Sequence, residues 1–542
     1  MKTTLKGKLL FYPYLETNMR QRILVGALAT AFLLPLGVQA ETLRWASQGD
    51  ILTLDPHAQN EGLTIAASSY VYEPLVEYDK EFNLIPALAI SWEQAEPTKW
   101  VFNLREGVQF HDGAPFSADD VVFSIKRAMA PTSNFKAYVN GIKDVRALDE
   151  FTVEIETDGP NPVLLRQLTN VFIMNEAWAQ EHDATEPQDF SAQQETYSAR
   201  HTNGTGPYQL VSREVDVRTA FKENPNWWDQ ANKEGNVTEI IYTPIKQNAT
   251  RTAALLSGEI DFVLDPPAQD LERLKREAKV VEGNEYRTIY LGLDQSSPEL
   301  KYSNIKGKNP FADQRVREAL SLAIDIEAIK KAVMRGASEP TGTMIAPQVN
   351  GWTQELAVPA PYDPERAKEL LKEAGYDENE LSFTLDCPNN RYINDEAICQ
   401  AVVGMWARIG VKANLNAMPR ATYFPKVQSH DSSAYLFGWG VPTFDALYTL
   451  QSLIHSPSEG ADGSFNFGGY SNPEVDALIQ QIKVEIDEDK RNAAIQEVLR
   501  IHGQEFGHIP LHDQVIPWAM GKNVNVVHRA DNRLTPQWVT IE

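Results

Sequence analysis

Trp100-Val-Phe-Asn-Leu-Arg-Glu-Gly-Val-Gln-Phe-His-Asp-Gly-Ala-Pro-Phe-Ser-Ala-Asp-Asp-Val-Val-Phe-Ser124 is the most informative stretch of the chain. Phe110-His111-Asp112-Gly113 reads as a tight turn, with Gly113 supplying a positive φ that other residues adopt at a cost. Ser117-Ala118-Asp119-Asp120 has the capping-box pattern, and Val121, Val122, Ile125, Ala128 and Met129 follow on one helical face. The same punctuation recurs downstream. Asp363-Pro364-Glu365 opens a helix whose stripe is Ala367, Leu370, Leu371 and Ala374, and Gly375 ends it. Asn472-Pro473-Glu474 precedes Val475, Leu478, Ile479 and Ile482. Ile398, Ala401, Val402, Met405 and Ile409 make a further stripe, leading into a strand from Val411. Strand-like and helix-like runs alternate throughout, without repeats or low-complexity tracts, which predicts an α/β architecture.

The first forty residues read as an address rather than as fold. Arg20 and Arg22 form a basic region, Ile23 to Leu36 an apolar run, and Val38-Gln39-Ala40 a signal-peptidase site, so cleavage is expected before Glu41. The run is shorter than the roughly 20 residues that a bilayer span needs. Met19 is an alternative start, and the leader's lack of cysteine argues against a lipid anchor. Residues 1–40 carry five basic residues and one acid, so their removal takes the formal charge from −24 to −28. Such an acidic chain repels nucleic acid and anionic membrane. Its length exceeds one core, so two or three domains are expected.

Cys387 and Cys399 are the only cysteines. In an exported chain they read as one disulfide, with two buried thiols as the alternative. They cannot alone close a four-ligand zinc site. No GxSxG elbow, HExxH helix, phosphate loop or GxGxxG fingerprint is present. His502, His508 and His512 come nearest to a metal pattern, but Pro510 breaks their spacing, and they read as ordinary histidines. Nothing asks for catalysis, a cofactor or a metal.

From Trp92 onward the chain resembles the family 5 extracellular solute-binding proteins. The resemblance rests on residues 100–124 and on an ordered series: Gly204-Thr-Gly-Pro-Tyr208, Asn224-Pro-Asn-Trp-Trp228, Gly258-Glu-Ile-Asp261, Asp313-Gln-Arg-Val-Arg-Glu-Ala-Leu320, Tyr362-Asp-Pro-Glu-Arg-Ala-Lys368, Gly438-Trp-Gly440 and Tyr470-Ser-Asn-Pro-Glu-Val-Asp476. It implies the two-lobed periplasmic-binding-protein fold, type II, with a hinge and an extra domain inserted in lobe I. Carried over, lobe I is 41–83, 205–300 and 515–542, the extra domain 84–204, and lobe II 301–514. The implied function is the periplasmic binding component of an ABC importer: a monomer that captures a small peptide or other carboxylate-bearing solute and delivers it to a membrane permease. Alternatives are a nickel or metal-chelate binder, with His57, His430 and His455 as scattered candidates, and a sensor or chaperone-like receptor. A hydrolase on the same scaffold is the remotest reading.

The resemblance also implies site residues. Arg391, in Cys387-Pro-Asn-Asn-Arg-Tyr-Ile-Asn394, matches the arginine that holds the ligand carboxylate in dipeptide binders, with Asn390 and Tyr392 beside it. A planar guanidinium suits that task, because it grips a carboxylate by two parallel hydrogen bonds. Trp439 lies in a segment that resembles the family's ligand-facing loop and offers an apolar plane with one donor for stacking on a ligand, or else is a core aromatic. Peptide binders carry an aspartate three residues after that tryptophan, to pair with the ligand amine. This chain has Pro442 there. Asp445 is the candidate substitute, or else the cap of a helix beginning at Ala446.

Overall fold

The computed structural model describes residues 41–189, 195–389, 391–458 and 462–542. The expected leader and Asn390 lie outside the described residues. The fold is the two-lobed one that the resemblance implied. In the first lobe Glu41–Ser47 runs parallel to Val237–Pro244 on one side and to Phe262–Val263 on the other. In the second, Ser382–Pro388 lies parallel to Lys412–Met418 and to Ala434–Gly440. The two sheets are joined into one by a pair of long antiparallel strands, Lys279–Leu293 and Ile509–Met520.

These two strands are the crossing between lobes. Residues 279–284 pair with 515–520, the ladder breaks, and 288–291 pair with 509–513. The first hydrophobic core contains Trp45, Phe262 and Trp518, with Val281 packed on it. The second begins at Ile289 and ends at Leu511. The chain therefore changes lobe near residues 285–288 and 512–515. The edge expected at 300/301 lies beyond this crossing, inside the second lobe. A long strand reads as one element in sequence, and the point where it exchanges one core for another is a tertiary property.

A four-stranded antiparallel sheet, Ala89–Glu96, Lys99–Leu104, Thr152–Thr157 and Ile142–Asp149, builds the extra domain, with helix Ala118–Met129 packed on it. Phe102, Val121, Ile125 and Val153 share one core with the first lobe. Buried Asp55 and Arg127, both fully enclosed, tie the two together through a 2.5 Å ion pair. The Arg127 charge and hydrogen bonds outweigh burial and hold Asp55 at about 2.

The expected caps form. Ser117 and Asp120 make the capping box, Asp363 caps Pro364–Glu373, and Asn472 caps Pro473–Val484. Gly113 has φ 89°. Gly204 and Gly206 have no positive φ. They are glycine because a Cβ would stand 2.0 Å and 2.7 Å from the Val71 carbonyl. His111 fixes this contact, its backbone N–H bonding the Gly204 carbonyl and its ring nitrogen meeting the Gly206 carbonyl.

Candidate functional site

Leu385 and Asp386 of strand Ser382–Pro388 lie beside Ala434 and Tyr435, the start of the parallel strand Ala434–Gly440, and the two strands lead into the segments singled out in the sequence. After the first strand the chain turns into helix Asp395–Arg408. The Arg391 and Tyr392 backbone N–H groups both donate to the Asp395 carboxylate, at 2.9 and 3.0 Å. A Cys387–Cys399 disulfide bridges the strand end and the helix, enclosing the Arg391 loop. Two fixed points thus hold a short loop.

Arg391 is half-buried, with its guanidinium 5.1 Å from the Tyr392 ring centre. Among the described residues no carboxylate forms an ion pair with it. Burial, and then the neighbouring Arg287 charge, pull it below the ordinary arginine value, while Glu61 from the first lobe and Glu285 act the other way. Arg287 itself is balanced: it donates to Glu285 at 3.1 Å and to the Gly438 carbonyl at 3.3 Å. Glu285 in turn accepts from Gln514 at 2.6 Å. Glu61 is used as the cap of helix Gly62–Ser68, accepting from the Thr64 backbone and hydroxyl. Tyr392 is buried and donates to the Gly438 carbonyl. Gly438 admits its ring, because a Cβ there would meet Tyr392 at 2.7 Å.

Trp439 is 6% exposed. Its ring stacks on Tyr448 (5.1 Å, 20°) and meets Phe465 at 4.9 Å. Tyr448 stacks in turn on Tyr138 of the extra domain. The buried Trp439 Nε1 has no hydrogen-bond partner among the described residues. Beside Tyr448 and Phe465, a cavity of about 60 Å³ separates the extra domain from residues 443–465.

Asp445 is placed differently from Arg391. Arg491 grips both its oxygens, at 2.7 and 2.6 Å, and Asn350 donates at 3.2 Å. The Leu447 backbone N–H donates to it as well, while the turn Leu447–Thr449 has Ala446 and not Asp445 at its cap position. Although burial opposes ionisation, the Arg491 bonds and charge hold this carboxyl below the ordinary aspartate range. Its lone pairs are committed to the scaffold.

Sequence reasoning missed two features. Glu285, Tyr286 and Arg287 sit where the crossing strand breaks register, with no local signal to mark them. Phe444, at φ 51°, inserts between the lobes against Phe82, itself at φ 64° (4.3 Å), Tyr78 and Tyr286 (both 5.2 Å). The histidines considered for metal are dispersed, and all but His512, whose two buried ring nitrogens have no partner among the described residues, are engaged. His57 meets the Phe172 carbonyl and Arg127, and burial drives it down to about 3. His430 meets the Phe467 carbonyl, and His455 meets Ser456 and Gln480. His502 and His508 bond to one another at 2.9 Å. No group of three or more histidine, cysteine or acidic residues able to hold a metal occurs among the described residues.

The family model for Bacterial extracellular solute-binding proteins, family 5 Middle, matches residues 83–461. Heme-binding protein A of Haemophilus influenzae is 28% identical over 466 residues, 81% of each chain. The glutathione-binding protein GsiB of Escherichia coli O157:H7 is 29% identical over 516 residues, 93% of this chain and 95% of its own. Among solved structures, the periplasmic binding protein DppA from Helicobacter pylori, in complex with peptide STSA, superposes with a TM-score of 0.76 at 22% identity. That superposition covers 93% of this chain and 98% of the other. On this match the chain belongs to the family 5 bacterial extracellular solute-binding proteins.

Proposed function

We propose that the chain captures a small peptide or other carboxylate-bearing solute between its lobes, with Arg391 as the carboxylate clamp. Its family comprises substrate-binding components of ABC importers, which bind rather than transform their cargo. The observation that carries the reading is a half-buried guanidinium without an ion-pair partner among the described residues, on a loop fixed by a disulfide and by Asp395. Buried cations are ordinarily paired. An incoming carboxylate supplies the missing charge. Tyr392 sets the loop against Gly438, Asn390 completes the clamp, and Trp439 backs the cleft with its stacked rings. Asp445 serves as scaffold. Closure follows from differential affinity, since the ligand touches both lobes only when they are shut.

The remaining elements of the reading are a leader cleaved after Ala40, delivery of the cargo to a membrane permease, and a monomer in the periplasm without nucleic-acid partners. No helix among the described residues is long and apolar enough to cross a membrane. The test is a thermal-shift screen of residues 41–542 against dipeptides, oligopeptides, glutathione, N-blocked peptides, opine-like acids and nickel chelates. A ligand at 100 times its dissociation constant adds about 2.7 kcal/mol of stability. Carboxylates that stabilise wild type and not Arg391→Ala support the clamp. Stabilisation by nickel chelates alone would replace this reading with the metal-chelate one.

A further inference from the structure

The cavity between the extra domain and the second lobe, which Arg391 does not line, has an unusual charge balance. The cavity beside Tyr448 and Phe465 is walled by Asn140 and Gln167 from the extra domain and by Thr443, Gln451, Ser452 and Ser464 from the second lobe. These are side-chain amides and hydroxyls. Among the described residues Asp445 is the sole carboxylate on the wall, and Arg491, Asn350 and the Leu447 N–H already occupy it. The nearby charge in excess is positive, because Arg166 also acts on Asp445 and on Tyr78. Pro442, where an amine-binding aspartate is expected, offers no charge. An ammonium entering here would lose water and meet amides, a satisfied ion pair and an arginine. Burying a charge without a partner is costly.

The same wall suits a neutral acceptor. Behind that wall Trp439, packed on Tyr448 and Phe465, keeps a buried indole N–H with no partner among the described residues. The side-chain amides of Asn140, Gln167 and Gln451 can donate as well. An acyl carbonyl satisfies such donors, whereas a protonated amine has no lone pair to offer.

We propose that this cavity is the pole of the ligand cleft opposite Arg391 and selects solutes whose end opposite the carboxylate is an uncharged acyl or amide group, so that the chain prefers N-acylated anionic peptides over those with a free amine. The inference rests on the carboxylate-clamp reading and adds the substrate class to it.

The experiment is a competition on residues 41–542, unfolded and refolded to clear any trapped cargo. The probe is an equimolar mixture of random tripeptides and tetrapeptides with free carboxyl termini. Half carry an isotopically labelled N-acetyl group and half a free amine. Retained peptides are counted by mass spectrometry. The expected acetyl-to-free ratio on wild type is at least tenfold, and Pro442→Asp is expected to lower it at least tenfold. A wild-type ratio at or below about three overturns the proposal, as does retention of neither half at millimolar concentration. Arg391→Ala separates the two claims. If it abolishes retention while wild type shows no acetyl preference, the clamp stands and the neutral pole fails. If it retains both the peptides and the preference, the neutral pole stands and the clamp fails.

Discussion

Replacing Arg491 by methionine removes the partner of a buried carboxylate while keeping most of the side-chain volume. Asp445 and Arg491 have side chains only 3% and 6% exposed, joined by two short bonds. Breaking such a pair from one side leaves an uncompensated buried charge and costs roughly 3–5 kcal/mol. The pH dependence gives a second reading. In wild type the Asp445 carboxyl titrates below its unfolded value, so its stabilisation is present above about pH 4 and fades as pH falls through the folded value. In Arg491→Met the lone carboxyl is pushed above its unfolded value by burial. The folded variant then takes up a proton that the unfolded chain does not, and the deficit shrinks as pH falls from 7 towards 4. Removing the charge as well, in Arg491→Met with Asp445→Asn, should recover much of the loss. Chemical denaturation at pH 7 and pH 4.5 measures all of these. A deficit below about 1 kcal/mol at pH 7, or one that does not change with pH, refutes the reasoning. Ligand affinity retained within about threefold in the double variant is expected if Asp445 is scaffold rather than an amine anchor.

Asp513 is buried with one hydrogen bond, from Thr288, and burial raises its carboxyl to about 8. The fold therefore binds a proton that the unfolded chain releases near pH 4, so this residue makes stability fall as pH rises from about 4 to 8. Asp513→Asn should flatten the stability profile across that window, measured by denaturation at several pH values. Reducing the Cys387–Cys399 bridge frees a loop of twelve residues, at a cost of roughly 2–3 kcal/mol, and calorimetry should show weaker binding from the loosened Arg391 loop. Phe444→Ala removes three ring contacts between the lobes, each worth roughly 0.5–1.5 kcal/mol. Small-angle scattering should then show a more open unliganded chain, and ligand affinity should fall about tenfold.

What could be read from the sequence follows how local each determinant is. Ser117 with Asp120, Asp363 with Pro364 and Asn472 with Pro473 announce helices because a cap satisfies backbone groups within one turn. Gly204 and Gly206 stand out in the sequence only as part of a family motif, since the Val71 carbonyl that excludes their Cβ lies far away in the chain. Arg391 was found through its motif, and its lack of an ion pair emerged only from the folded surroundings. Asp445 had two readings, anchor and cap, and only the position of Arg491, 46 residues on, separates them. The crossing at 285–288 left no local trace, because a strand that leaves one core for another keeps its alternation. Phe444 and Phe82 adopt left-handed backbones that aromatic residues rarely take, so their side chains gave no hint of the contact they make.

The central claim is that Arg391 holds a carboxylate, and calorimetry of wild type and Arg391→Ala tests it most directly. The ligands are the tightest carboxylate from the thermal-shift screen and its C-terminal amide. A charge-assisted hydrogen bond is worth roughly 1.5–3 kcal/mol, so the carboxylate should lose at least about tenfold in affinity and the amide should change little. Affinities of the carboxylate within about threefold of one another in the two proteins would contradict the account.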